Sequence, residues 1–297
     1  MANRLETLEG ERERREELWM KLIEAGGPSS VSAALLNELK LFYGGRGIWV
    51  DKAKTQNVGG SRDGVTVGLL HSGAIYEDDL FEDGAIYHYP TTEVPGRDAS
   101  EIAATKAAQE FALPVFLSIL NRSTGLRDVK RAWVESSEDA LKQFKLTYAE
   151  RRQDQEYKQD SRRDFVVTAP RTKEEKTTNR SKRHPGFKFD VLRHYGDVSC
   201  CLCDVRALRL LDAAHIVDVQ HNGTDDPRNG LILCANHHRA YDAQMIAIEP
   251  GSYHLKCDPK QPSFDELGIT KTSIASLSAK PHDDALFWRW ERWKHKG

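Results

Sequence analysis

An α+β chain of two domains is what three features of the sequence predict. Short β-like runs broken by one helical stretch fill the region from about Leu41 to Tyr148. Residues 150–185 are polar and charged without apolar periodicity. Beyond them, a Cys-x-x-Cys pair and a Cys-x-x-His pair stand thirty residues apart in a second compact unit.

Taken in order, "LETLEGERERREELWMKLIEA" reads as a charged helix with an apolar side at Leu18, Trp19 and Leu22, ended by "GGP". The runs "GIWV", "VTVGLL", "AIYHY" and "LPVFLSIL" follow as strands of a sheet expected to curl. Between them "ASEIAATKAAQEFA" reads as a helix opened by Asp98, with Glu101 three residues on as the partner in an Asp capping box. The glycine-rich "YGGRGIW" lacks the lysine and spacing of a phosphate-binding loop, so it is read as a loop with Arg46 a candidate DNA contact. "GFKFDVLRHYG" opens the second unit, and "ALFWRWERWKHKG" closes the chain as an amphipathic helix. The expected divisions are an N-terminal helix at 1–30, a sheet domain at 31–150, a linker at 151–185, a ligand-rich domain at 186–258 and an extension at 259–297.

Composition narrows the class of function. With 30% charged and 39% hydrophobic residues, and no stretch near the eighteen or so apolar residues of a membrane span, no membrane partner and a cytoplasmic location are expected. Five cysteines, an odd number with three in "SCCLCD", suit a reducing compartment and a metal site better than a disulfide framework. The net charge of −2 hides a local asymmetry: twelve Lys or Arg against six Asp or Glu between Arg151 and Lys188. Such a stretch suits a phosphate backbone.

The ligand chemistry concentrates in "LCANHHRAYD" and its surroundings. Cys200, Cys203, Cys234 and His237 have the paired spacing of a tetrahedral structural Zn²⁺ site, with Cys201 open as an alternative register. His238, freed from that cluster, stands four residues before Asp242, on one face of a helix beginning there. One imidazole and one carboxylate suit a harder cation, Mg²⁺ or Mn²⁺.

The order His215, Asn229, His238 around these cysteines, in the pattern "AAHI…NGLILC…HH…D", resembles the HNH nuclease family over about residues 186–250. The resemblance implies a ββα-metal fold in which His215 is the general base, Asn229 orients it, and His238 with Asp242 holds the catalytic metal. Ala214 stands where many members carry a further ligand, and Asp212, on the same strand face by parity, is the candidate replacement. His221 is read as a loop residue.

In the N-terminal domain "YEDD", an Asp-Gly turn, a Tyr-x-Tyr strand and "GRD" are similar to the SET and RING associated (SRA) family, a PUA-like fold that flips modified cytosine out of the duplex. The resemblance implies that Tyr76 and Tyr89 stack on the base and that Asp79 accepts from its exocyclic amine; Tyr87 is read as packing. Pro90 and Thr91 replace the family's Thr-Gly, which leaves 5-hydroxymethyl- or glucosyl-cytosine open in place of 5-methylcytosine. Together the two resemblances imply a modification-dependent restriction endonuclease of the SRA-HNH type, acting on double-stranded DNA with modified cytosine and, since one HNH site cuts one strand, as a homodimer. The alternatives are a non-catalytic reader of modified DNA, and an HNH nuclease whose specificity domain reads RNA or another modified base.

Overall fold

The computed structural model describes residues 7–43, 47–72, 79–92, 94, 96–148, 164–169 and 185–295. Two compact units divide the chain, Met1–Glu156 and Tyr157–Gly297. Tyr76, Arg46 and most of the expected linker lie outside the described residues.

In the first unit the charged helix forms as α1, Leu8–Glu24, with the Thr7 hydroxyl accepting from Gly10 N at its start. A short α2, Ala33–Glu38, follows. Then come β1 Ile48–Val50, α3 Lys52–Thr55, β2 Thr66–His71, β3 Leu80–Phe81, β4 Gly84–His88, α4 Arg97–Glu110, β5 Val115–Leu120, β6 Arg127–Glu138 and β7 Gln143–Thr147. The strands make one mixed sheet in the order β1-β2-β5-β6-β7-β4-β3, parallel only between β2 and β5. β6 and β7 belong to the sheet although their charged residues hide them in the sequence. Strand β6 is long enough to pair along its first half with β5 and along its second with β7, and a register shift between Val134 and Ser136 bends it.

Helices cover both faces of this sheet, so its central strands read as continuous apolar runs. Strand β5 shows the division: Val115 and Leu117 join the core under α4, while Phe116 between them points to the α1 side and stacks on Trp19. Polar groups lie inside as well, among them Glu11, Arg15, Thr66 and Thr105. Arg15 of α1 is fully buried, its guanidinium bonded to Glu11 Oε1 (2.7 Å) and to the backbone carbonyls of Thr66 (2.8 Å) and Pro114 (2.6 Å), which ties α1 to β2 and to the entry of β5.

The expected capping box at Asp98 does not form. The helix opens one residue earlier, at Arg97 after Gly96 at φ +74°, with no side-chain cap. Asp98 is therefore already within the first turn, where its carboxylate reaches back to the Thr92 amide and hydroxyl, and Glu101 pairs with Arg97.

The second unit is built on a hairpin. Helix α5, Pro185–Tyr195, precedes β8 Leu211–His215 and β9 Gly230–Cys234, which pair antiparallel from Leu211↔Cys234 to His215↔Gly230. Helix α6, Ala235–Asp242, continues directly from β9. A second small hairpin, β10 Ile246–Ile248 with β11 Leu255–Cys257, then α7 Phe264–Leu267 and the tryptophan-rich α8 Asp283–Lys294 complete it. Among the described residues no helix is long and apolar enough to cross a membrane.

Candidate active site and metal centre

Strand parity distributes the chemistry. Asp212 turns toward α6, where it meets His238, whereas His215, three residues on, turns the other way and lies flat against Phe187 of α5, ring centroids 3.8 Å apart and planes 11° apart. Helix α5 can lie this close because the residue opposite His215 is Gly230. A Cβ there would come within 2.4 Å of Val191 and 2.9 Å of Phe187.

Cys200, Cys203, Cys234 and His237 are all buried, and their donor atoms lie within 4.8 Å of one another. His237 Nδ1 stands 3.3 Å from the sulfurs of both Cys200 and Cys234, and the Cys203 and Cys234 sulfurs are 3.9 Å apart. Such separations are those of ligands sharing one tetrahedral ion with bonds of about 2.0–2.3 Å, so the set fits Zn²⁺. The surroundings fit as well. His237 Nε2 donates to the Leu267 carbonyl (3.1 Å), which leaves the Nδ1 lone pair for the ion, and the Cys200 sulfur accepts from the amides of Leu202 and Cys234. Burial, with the neighbouring Cys200 and Cys234 thiols, pushes the Cys203 thiol up to about 12. Cys201 stays outside this set, its amide bonded to the Ile232 carbonyl and its thiol pushed up to about 12, mainly by burial.

The adjacent His238 faces a different shell. Its Nδ1 donates to Asp212 Oδ2 (3.3 Å) and its Nε2 stands 3.4 Å from Asp242 Oδ2. The two carboxylates therefore sit on opposite edges of the ring and do not converge on one point. Asp212, 2% exposed at its side chain, takes the position of a group that orients the imidazole. Asp242, 61% exposed, shares the solvent side with Nε2, a donor pair of one nitrogen and one oxygen that fits a hard divalent cation keeping several waters.

Asn229 is fully buried and uses every polar atom. Its Oδ1 accepts from Val217 N (2.9 Å), and its Nδ2 donates to the carbonyls of Val217 (3.1 Å) and Thr224 (2.8 Å). Its backbone carbonyl accepts from Ile216 N (2.8 Å). It thus closes the loop that leaves β8 immediately after His215. His221 sits in that loop, paired with Asp218 and edge-on to Trp288.

One partner was not visible in the sequence: His215 Nε2 donates to Asp225 Oδ1 (2.8 Å). The only sequence trace of it is the pair of aspartates in "TDDP", of which the second, Asp226, binds Arg228 instead.

In the first unit the residues expected to hold a base are otherwise engaged. Asp79 Oδ2 lies 3.0 Å from His88 Nε2. Tyr89, 8% exposed, packs its ring 4.4 Å from that of Phe144 and donates its hydroxyl to Asp139 (2.9 Å). As placed, Tyr89 is a core residue of the sheet. Tyr87 is buried too, its hydroxyl donating to the Gly47 carbonyl (2.7 Å), as a packing tyrosine should.

Comparison with known proteins agrees with the chemistry of the second unit. Residues 200–249 match the HNH endonuclease family HNH_2. The chain thus carries an HNH endonuclease domain, the unit of a hydrolase that cleaves nucleic-acid phosphodiester bonds. No curated protein matches the chain. Among solved structures, a modification-dependent TagI restriction endonuclease aligns at 18% identity over 89% of this chain and 92% of its own, with a TM-score of 0.37.

Proposed function

We propose that this protein is a divalent-cation-dependent DNA endonuclease in which the unit Met1–Glu156 selects DNA bearing modified cytosine and the HNH domain cuts a phosphodiester bond near it. The observation that carries the nuclease half is the hairpin-and-helix arrangement of His215, Asn229 and His238 beside a closed Cys₃His cluster. With Nε2 committed to Asp225, His215 uses Nδ1 to take the proton of a water attacking the phosphate. Asn229 holds the loop and hence the angle of that ring. His238 and Asp242 would hold a Mg²⁺ or Mn²⁺ ion, which would supply charge stabilisation for the phosphate and its leaving oxygen. Asp212 holds the His238 ring by accepting from Nδ1. The Cys₃His cluster is assigned a structural Zn²⁺.

The choice of modified cytosine rests on the likeness of "YEDD", the Tyr-x-Tyr strand and "GRD" to SRA domains. The basic stretch Arg151 to Lys188 is assigned to the DNA backbone, and a homodimer to double-strand cutting. A second reading has one observation in its favour: Tyr89 in the core and Asp79 paired with His88 suit a selecting unit that does not flip a cytosine. The two readings separate on one plasmid prepared unmodified, with 5-methylcytosine and with 5-hydroxymethylcytosine, incubated with Mg²⁺ or Mn²⁺ and with an EDTA control. Cutting of a modified form alone, lost in His238→Ala, is the expected result. Equal cutting of all three forms would remove the modified-base assignment and keep the nuclease. No cutting with either cation would remove the nuclease as well.

A further inference from the structure

The strongest unassigned chemistry on the page is the carboxylate beside the general base. We propose that Asp225 is the positioning residue of His215: its carboxylate holds the imidazole as the Nε2-protonated tautomer and aims Nδ1 at the attacking water. This rests on the reading of His215 as the base.

Three sets of contacts support it. First, Asp225 Oδ1 accepts from His215 Nε2 at 2.8 Å, and a carboxylate can only accept, so the ring proton is on Nε2 and the lone pair on Nδ1. Secondly, Phe187 lies parallel to the ring at 3.8 Å, which fixes its plane, and the acceptor on Nε2 then fixes rotation within that plane.

Thirdly, although the Asp225 side chain is 43% exposed, its backbone is held on both sides. Thr224, just before it, gives its carbonyl to Asn229 Nδ2, the same group that bonds the Val217 carbonyl after His215. Asn229 therefore sets both members of the pair from one amide. Asp226, just after it, caps the following turn through Arg228 N (2.9 Å) and pairs with the Arg228 guanidinium. The loop between the two members closes tightly at Gly223, where a Cβ would come within 1.7 Å of the Val217 carbonyl oxygen. The segment 164–169 braces the same loop, with Ala169 N donating to the Asn222 carbonyl (2.8 Å) and Thr168 bridging Gly223. A surface aspartate held at so many neighbouring points is placed for a purpose.

On the helix packed against His215, Lys188 donates to the Leu208 carbonyl (2.9 Å) and His194 Nε2 stands 3.0 Å from the Lys280 carbonyl. In the reaction the water proton passes to Nδ1 as the water oxygen bonds to phosphorus and the bond from phosphorus to the leaving oxygen breaks; the leaving oxygen takes a proton from solvent, the Nε2 proton stays in its bond to Asp225, and the imidazolium returns the added proton to solvent. Asp225 thus faces the positive charge as it forms.

Two measurements on the full chain test this. In cleavage of the plasmid form that the wild type cuts, with Mn²⁺, Asp225→Asn should lower kcat on the order of 10²-fold with KM held within about 2-fold. The acid limb of its kcat/KM profile should move to lower pH, because removing the negative neighbour disfavours the protonated ring. Asp225→Glu should recover part of the loss. A purely structural role would lower the profile without moving the limb, and a role as ion ligand would raise the Mn²⁺ requirement instead; either result overturns the proposal. His215→Ala is the control: if it cuts like the wild type, the base assignment itself fails. The second measurement needs no cleavage. The ¹⁵N shifts of labelled histidine should show His215 protonated at Nε2 in the wild type and as a tautomer mixture in Asp225→Asn, and an unchanged spectrum overturns the proposal.

Discussion

The two units bury polar chemistry by opposite means. Inside Met1–Glu156, Arg15 and Glu11 neutralise one another under the sheet, and the guanidinium spends two further donors on backbone carbonyls. Inside Tyr157–Gly297, three thiols and an imidazole gather with no cation of their own. The first cluster carries its counter-charge in the chain, so its strength depends on pH. The second is a set of donors that fits an ion from outside. The neighbouring histidines repeat the contrast within one helix: His237 lies in a closed set of four buried donors, and His238 stands between the buried Asp212 and the exposed Asp242.

The largest effect is expected where the external ion is lost. Cys234→Ser removes one of four ligands, and structural zinc contributes roughly 10–16 kcal/mol of apparent folding free energy in small domains, as much as a whole domain's usual stability. The variant should retain no stoichiometric zinc and lose hydrogen-exchange protection across Leu231, Ile232 and Leu233, while Phe116 and Leu117 in the other unit keep theirs. A chelator should do the same to the wild type. Retained protection in the variant would end the contrast, because the hairpin would then be standing on its core alone.

The internal pair should respond less. Arg15→Ala removes the buried partner and leaves Glu11 paired with Arg14 alone, so the loss should stay below the roughly 3–5 kcal/mol of a buried charge left unpaired, and adding Glu11→Gln should recover part of it. Burial alone would raise the Glu11 carboxyl, but the hydrogen bonds and charges of Arg14 and Arg15 outweigh it and hold the carboxyl below its ordinary value. A depressed folded value means that the stabilisation is complete above the unfolded carboxyl value of about 4.3 and is lost as pH falls through the folded one. Thermal melting of the first unit should therefore decline below about pH 4, and the decline should be shallower in Glu11→Gln. An identical acid profile in the variant would show that the pair contributes no pH-dependent stability.

What could be read in advance follows the same division. Metal ligands must be of particular types at short spacings, so Cys200, Cys203, Cys234 and His237 were legible from sequence, as was the pair His238 and Asp242 at one helical turn. Asn229 was legible through its family pattern, and the structure supplies the reason for it, a fully used amide across a loop. Asp225 was not, since an acceptor for an imidazole can come from any loop that the fold brings near. Arg15 was hidden for another reason: in a helix of alternating Glu and Arg nothing distinguishes the one arginine that turns inward. Strands β6 and β7 were missed because their charged side chains broke the apolar signal that identified β2 and β5.

The smallest expected effect falls on the residue where packing and reading compete. Tyr89 lies between the two uses: its position as the second tyrosine of the Tyr-x-Tyr run suggests a stacking face, and its contacts with Phe144 and Asp139 make it part of the core. Burial and the bonded Asp139 both push its phenol up, so it remains a donor throughout the working pH range. Because Asp139 is largely exposed, losing that bond in Tyr89→Phe should cost only about 0.2–1 kcal/mol, while the ring and its packing stay. If Tyr89 serves the sheet, Tyr89→Phe leaves the ratio of cutting between modified and unmodified plasmid unchanged and the melting temperature of the first unit nearly so. If its hydroxyl takes part in recognition, the ratio collapses while stability stays put. That outcome would move Tyr89 from the core to the reading site.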